Sequence, residues 1–98
     1  MMTDRSDRRP EAQVDSITVF IAGDAPSSRQ AMTNLTGVLD SLGIPPERLV
    51  VVDVLTDPGA ALEAGALVTP SLQIKRGART RWFLGDLTDQ RDLLAFLG

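Results

Sequence analysis

The stretch Ala22-Gly23-Asp24-Ala25-Pro26-Ser27-Ser28 concentrates the side chains best placed for chemistry. It follows an apolar run, Ile17–Ile21, and precedes a segment with helical spacing. A turn of this kind can hold a nucleophile at the positive end of a helix, and Ser27 and Ser28 are the nucleophiles available. The sequence contains no Cys and no His. That composition removes disulfide exchange, thiolate metal sites and the usual neutral-pH general base. Ser27 also has a structural reading as the N-cap of the helix, with Gln30 at the reciprocal capping-box position.

Three further groups have chemical potential, each with a plainer reading beside it. Gly85-Asp86-Leu87-Thr88-Asp89 has the look of a phosphate or metal turn. One pair of aspartates without His makes a poor metal site, so Asp86 and Thr88 are read as satisfying backbone N–H groups at the start of a last helix. Asp53 interrupts a run of valines, where its carboxylate needs donors or an exposed edge. Lys75, Arg76, Arg79 and Arg81 surround Trp82, a pattern able to bind an acidic partner or a nucleobase. In an alternating hairpin, however, Arg81 and Phe83 share one face and Trp82 takes the other. Charges on an edge strand commonly prevent sheet-to-sheet association, so no nucleic-acid partner is expected.

The elements that position these groups follow from periodicity. Ile17–Ala22 and Leu49–Val54 are continuous, β-branched apolar runs and read as parallel strands buried on both faces. Between them Ala31, Leu35, Val38, Leu39 and Leu42 recur at helical spacing, Gly43 ends the helix, and Pro45-Pro46 enforces a loop. Asp57 and Pro58 start a short helix reaching about Gly65, with Ala61, Leu62 and Ala64 facing inward. Leu72–Lys75 and Thr80–Leu84 form a hairpin about Gly77, and Leu93, Leu94 and Leu97 mark a last helix beginning after Thr88.

The order β-α-β-α-β-β-α, parallel strands first and a hairpin last, predicts an α/β domain of the thioredoxin-like type: a mixed four-stranded sheet with helices on both faces. In a redox thioredoxin two cysteines flank the first helical turn with proline third of four residues. Here the corresponding residues are Asp24-Ala25-Pro26-Ser27, which cannot exchange a disulfide. Val68-Thr69-Pro70 matches that arrangement's other fixed feature, a cis-proline ahead of the third strand. The fold also supplies an enzymatic alternative, a glutathione- or peptide-binding enzyme using Ser27 or Ser28, although the chain has no Tyr.

Four blocks, Phe20–Ser28, Val52–Pro58, Thr69–Leu72 and Leu84–Asp89, resemble the KaiB family of circadian-clock proteins, in one register from about Ile17 onward. The resemblance implies a non-catalytic docking protein that binds the hexameric ATPase KaiC and competes there with a thioredoxin-like sensor kinase domain. It also implies interconversion between a tetrameric ground-state fold, whose second half is rearranged, and a monomeric thioredoxin-like fold. Carried over by position, the partner surface comprises Val52, Asp53, Asp57, Gly59, Ala60, Glu63 and Gly65; Gly23, Pro26, Ser27, Pro70, Gly85, Asp86 and Thr88 have turn and capping roles. No cofactor or metal is implied. The chain departs from the family pattern at Gly65, where the pattern has lysine, and at Leu62, Glu63 and Ala64, where it has paired acids. Lys75-Arg76-Gly77-Ala78-Arg79 replaces a proline-rich stretch, Phe96 replaces a helical glycine, and an acidic tail is lacking after Gly98. The hairpin and Phe96 favour the thioredoxin-like form.

The bulk properties agree with a single domain. The chain has 98 residues, 43% hydrophobic content and a net charge of −3, which gives no bias toward nucleic acid or anionic membrane. Residues 1–16 mix Arg and Asp without an apolar core and read as a disordered tail ahead of a domain at 17–98, not as a signal peptide. A cytoplasmic protein, monomeric or a small homo-oligomer, is the expectation.

Overall fold

A computed structural model describes residues 14–98. Its elements run β1 (Ser16–Ile21), α1 (Pro26–Ser41), β2 (Leu49–Asp53), α2 (Pro58–Ala64), β3 (Ser71–Arg76), β4 (Arg79–Leu84) and α3 (Arg91–Leu97), with a 3-10 turn at Pro46–Arg48 before β2. The predicted tail lies outside the described residues except for Val14, Asp15 and Ser16, which belong to the fold. Val14 is buried, Ser16 opens β1, and Asp15 bonds the hairpin through its N–H to Lys75 O and through its carboxylate to the Gly77 N–H.

The four strands lie in the order β2-β1-β3-β4. β1 pairs in parallel with β2, Val19 beside Val51, and antiparallel with β3, Val19 beside Leu72. β3 and β4 form the expected hairpin, closed by Gly77-Ala78 with Gly77 at φ +63. A positive φ carries little steric penalty only for glycine, and this one lets the strands meet without a longer loop.

Alternation sorts the strand residues into two unequal faces. Ile17, Val19, Leu72 and Ile74 meet Ala31, Leu35, Val38 and Leu39 of α1 and Leu93, Phe96 and Leu97 of α3 in one buried cluster. Phe20 and Trp82 lie on the opposite face with ring centroids 5.7 Å apart. The chain from α2 into β3 passes over that second face, where Leu67 and Val68 approach Ser71, Trp82 and Leu84. Coverage there is thin, since α2 has only 7 residues against 16 in α1.

Three local expectations are corrected. β2 is not buried on both faces: it is an edge strand, and Val50 and Val51 on its opposite faces are each about half exposed. A run of valines marks apolar surface without saying what covers it. Leu62 points into solvent, because a 7-residue helix can turn only a narrow stripe toward the sheet and Ala61 occupies it. α3 begins at Arg91, later than Thr88, after an extended stretch in which buried Leu87 takes φ +65.

Phe96 fills the core as its sequence position predicted. Its ring meets Phe83 edge-on at 6.1 Å, and the guanidinium of Arg79 lies 5.0 Å from its centroid. Arg76 donates to the Phe96 carbonyl, joining the hairpin to the end of α3. Phe96→Ala should therefore lower the unfolding free energy by about 3–5 kcal/mol. Urea denaturation checks this, with a reduced midpoint at unchanged slope expected.

Candidate functional site

The first strand-to-helix turn is closed from inside. Pro26 occupies the first position of α1, where its missing N–H costs nothing, and Ala25 stands at the N-cap without a side-chain bond. Ser27 is therefore not the cap: it sits in the first helical turn with its side chain exposed. The working hydroxyl is that of Ser28, buried and accepting a hydrogen bond from the Ala22 N–H at 3.1 Å. One residue decides the difference, because with Pro26 inside the helix Ser28 is the serine that turns back toward the strand.

Asp53 completes the closure. One carboxylate oxygen, Oδ1, accepts from the Gly23 N–H at 3.1 Å and from the Leu55 N–H at 3.0 Å, tying the turn after β1 to the turn after β2. Gly23 has φ +52, a backbone conformation that favours glycine, and a Cβ there would crowd Leu55 Cδ1 at 3.1 Å. Of the two serines, Ser28 is buried and engaged with the Ala22 N–H, and Ser27 is exposed in the first helical turn.

The last turn is likewise used internally. Asp86 Oδ1 accepts from the Thr88 N–H at 3.0 Å and from the Thr88 hydroxyl at 2.6 Å, and these bonds hold its carboxyl below the usual range. Asp89 is lowered in turn by its hydrogen bonds from Arg91. Thr88 is therefore a partner of Asp86 and not the cap of α3, whose N-cap position is held by Gln90. The Asp86 carbonyl accepts from Asn34 Nδ2 at 2.8 Å, which fastens this loop to α1. Among the described residues no group of three or more His, Cys, Asp or Glu is placed to hold a metal ion.

Pro70 does follow a cis bond, and its carbonyl accepts from the Gly85 N–H at 3.0 Å. The arginines do not form a strip with Trp82. Arg76, Arg79 and Arg81 lie over Phe83 and Phe96 on the core face, Arg81 also pairing with Asp92 at 3.8 Å, while Trp82 stacks with Phe20 on the other.

What remains open is the edge at β2 and α2. The structure gathers the predicted surface residues there: Val52 and Asp53 at the end of β2, then Asp57, Gly59, Ala60, Glu63 and Gly65 along α2. Two of these carboxylates have internal tasks, Asp53 as above and Asp57 as the cap accepting from the Ala60 N–H. Sequence reasoning missed the apolar side chains among them. Val50 and Val51 are 52% and 48% exposed, Leu62 79% and Leu67 93%. Leu62, Leu67 and Val68 also rim a cavity of about 590 Å³ together with Val54 and Pro58. The missing signal was the shortness of α2, which leaves its leucine no sheet to pack on.

This arrangement defines a class: a thioredoxin-like domain whose redox turn carries no sulfur and is sealed by a serine and an aspartate. Solved thioredoxins share the fold. Fasciola hepatica thioredoxin superposes with a TM-score of 0.70 at 13% identity, covering 96% of this chain and 89% of its own. Mitochondrial thioredoxin 3 of Saccharomyces cerevisiae gives 0.66 at 17% identity, covering 83% and 74%. The sequence is more specific than the fold. It is 32% identical over 78 residues to the circadian clock oscillator protein KaiB of Synechococcus sp. (strain RCC307), covering 80% of this chain and 71% of that protein. The corresponding protein of Prochlorococcus marinus (strain NATL2A) is 33% identical over 78 residues, covering 80% and 73%. The chain belongs to the KaiB family. No protein-family model matches it. Neither these relatives nor the closed turn indicates an enzyme. No helix among the described residues is long and apolar enough to cross a membrane.

Asp53→Ala would leave the Gly23 and Leu55 N–H groups without their acceptor. A loss of about 1–3 kcal/mol is expected, with hydrogen exchange accelerated at those two amides more than at the centre of β1.

Proposed function

We propose that this protein is a non-catalytic docking module of a circadian-clock or related signalling assembly in the cytoplasm, with a KaiC-type ATPase as its partner and the β2–α2 edge as its contact. The observation that carries the reading is the exposed apolar edge itself, in a fold whose reactive turn is closed. Leaving Leu62 and Leu67 in water forgoes roughly 1.5–3 kcal/mol each that burial would return, a cost that association recovers. An edge strand also offers unpaired backbone groups to a partner. Membership of the KaiB family supplies the kind of partner, and a thioredoxin-like sensor kinase domain would compete for the same edge.

The hairpin closure at Gly77 and the burial of Phe96 support the thioredoxin-like form as the binding-competent and prevailing one, with the rearranged ground-state fold disfavoured. Both features add contacts in the second half of the chain, where the two family folds differ.

Size-exclusion chromatography with a KaiC-type ATPase, with and without ATP, tests the proposal. Co-elution is expected under at least one nucleotide condition, weakened about tenfold or more by Leu62→Glu, a solvent-facing change with little effect on folding. Absence of a complex under both conditions overturns it, and retention on glutathione-agarose would restore the enzymatic alternative.

A further inference from the structure

β4 forms the edge of the sheet opposite β2. The register of the hairpin says which of its backbone groups are free. Arg76 and Arg79 flank a two-residue loop and exchange backbone bonds, so Ile74 with Arg81 and Leu72 with Phe83 do the same, and the residues between turn their N–H and C=O groups away from the partner strand. Two further bonds fix that phase. The Gly85 N–H donates to Pro70 O, continuing the bonded series, and Lys75 O, opposite Thr80, accepts instead from the Asp15 N–H on the β1 side. Thr80, Trp82 and Leu84 therefore present backbone donors and acceptors along the outer edge, where no further strand is paired among the described residues.

Alternation gives the two flanks of that edge different chemistry. Trp82 and Leu84 stand on the thinly covered face, Leu84 being 65% exposed. Arg79 and Arg81 stand on the other, folded back over aromatic rings: Arg79 lies 5.0 Å from the Phe96 centroid and Arg81 5.1 Å from that of Phe83. Charges that project past an edge strand block it, whereas these are held over the sheet face and leave the backbone of the edge clear. Arg81 has Asp92 at 3.8 Å, and among the described residues no carboxylate pairs with Arg79. At the Leu84 end the sign reverses, because Asp86, Asp89 and Asp92 line a groove of about 440 Å³ shared with the last residues of β4. The edge thus carries cations at its hairpin end, carboxylates at its far end and apolar side chains along one flank.

We propose that β4 takes up an extended segment of a partner protein as a fifth strand, antiparallel to it, with apolar residues beside Leu84 and Trp82 and acidic residues beside Arg81 and Arg79. Antiparallel pairing is the more stable per residue, and it lets the residues beside Thr80, Trp82 and Leu84 exchange the backbone bonds while those beside Arg79 and Arg81 contribute side chains alone. The acids fall at the C-terminal end of the segment, next to the arginines and away from Asp86, Asp89 and Asp92. This surface is at the opposite edge from β2, so its failure and the failure of ATPase docking are separable.

Titration of the full chain with the peptide acetyl-Val-Thr-Val-Glu-Thr-Glu-amide, followed by amide chemical shifts, tests this. Saturable shifts are expected, largest at Thr80, Trp82 and Leu84 and small at Val50 and Val52 on the other edge. The reversed peptide, acetyl-Glu-Thr-Glu-Val-Thr-Val-amide, brings its acids to the Asp86 end and should bind about three- to tenfold more weakly. N-methylation of the second valine removes a donor aimed at β4 and should abolish binding, whereas N-methylation of the first glutamate, whose N–H points away, should leave affinity within about twofold. Arg79→Gln, a change at an exposed side chain, should weaken binding about two- to fivefold, by a margin that shrinks in high salt. Absence of saturable shifts, shifts centred on β2, equal affinity for the reversed peptide, or equal loss from the two N-methylations would each overturn the proposal. Unchanged affinity in a folded Arg79→Gln variant would overturn it as well.

Discussion

The unequal covering of one four-stranded sheet governs this molecule. On one face α1 and α3 bury Ile17, Val19, Leu72 and Ile74 completely, and the aromatic pair Phe83 and Phe96 extends that packing to the hairpin. On the other, a 7-residue helix covers a surface built from Val50, Val52, Phe20, Trp82 and Leu84. Each buried side chain of the first face contributes roughly 1.5–3 kcal/mol, and this surplus lets the second face remain partly exposed without unfolding the domain. Close packing and apolar exposure are thus divided between the two sides of one sheet.

The closed turn follows from the same economy of contacts. A thioredoxin-like fold brings the end of β1, the start of α1 and the end of β2 together whether or not chemistry is done there. In this chain the backbone donors at that meeting point are taken by Ser28 and Asp53, with Gly23 leaving room for Leu55. The consequence is a rigid corner joining β2 to its neighbours. It holds the apolar edge in a fixed position relative to the core.

Much of the fold was legible because hydrophobic period and turn residues agreed: Ala31 to Leu39 at helical spacing, Asp57-Pro58 at a helix start, Gly77 between strands, Thr69-Pro70 ahead of β3. The errors have one physical origin. Sequence patterns report what a residue prefers but not what covers it. The valines of β2 and Leu62 of α2 read as core because they are apolar, whereas strand order and helix length put them at an edge. Caps failed differently. Ser27 and Thr88 are good cap residues, but with Pro26 at the first helical position the first helix starts two positions earlier, capped at Ala25, and Asp86 and Asp89 use their carboxylates in local turns ahead of the last. Of the candidate surface, the family resemblance named the residues at the ends of β2 and along α2; the apolar character of that edge emerged only when exposure was known.

The central claim is that the second half of the chain is a β-hairpin packed beside β1, with the opposite sheet face only thinly covered. Backbone chemical shifts of the free protein test this most directly. Strand-type shifts across Ser71–Arg76 and Arg79–Leu84, with cross-strand contacts between Leu72 and Phe83 and between Val19 and Leu72, are the predicted result. Helical shifts across either segment would contradict the account.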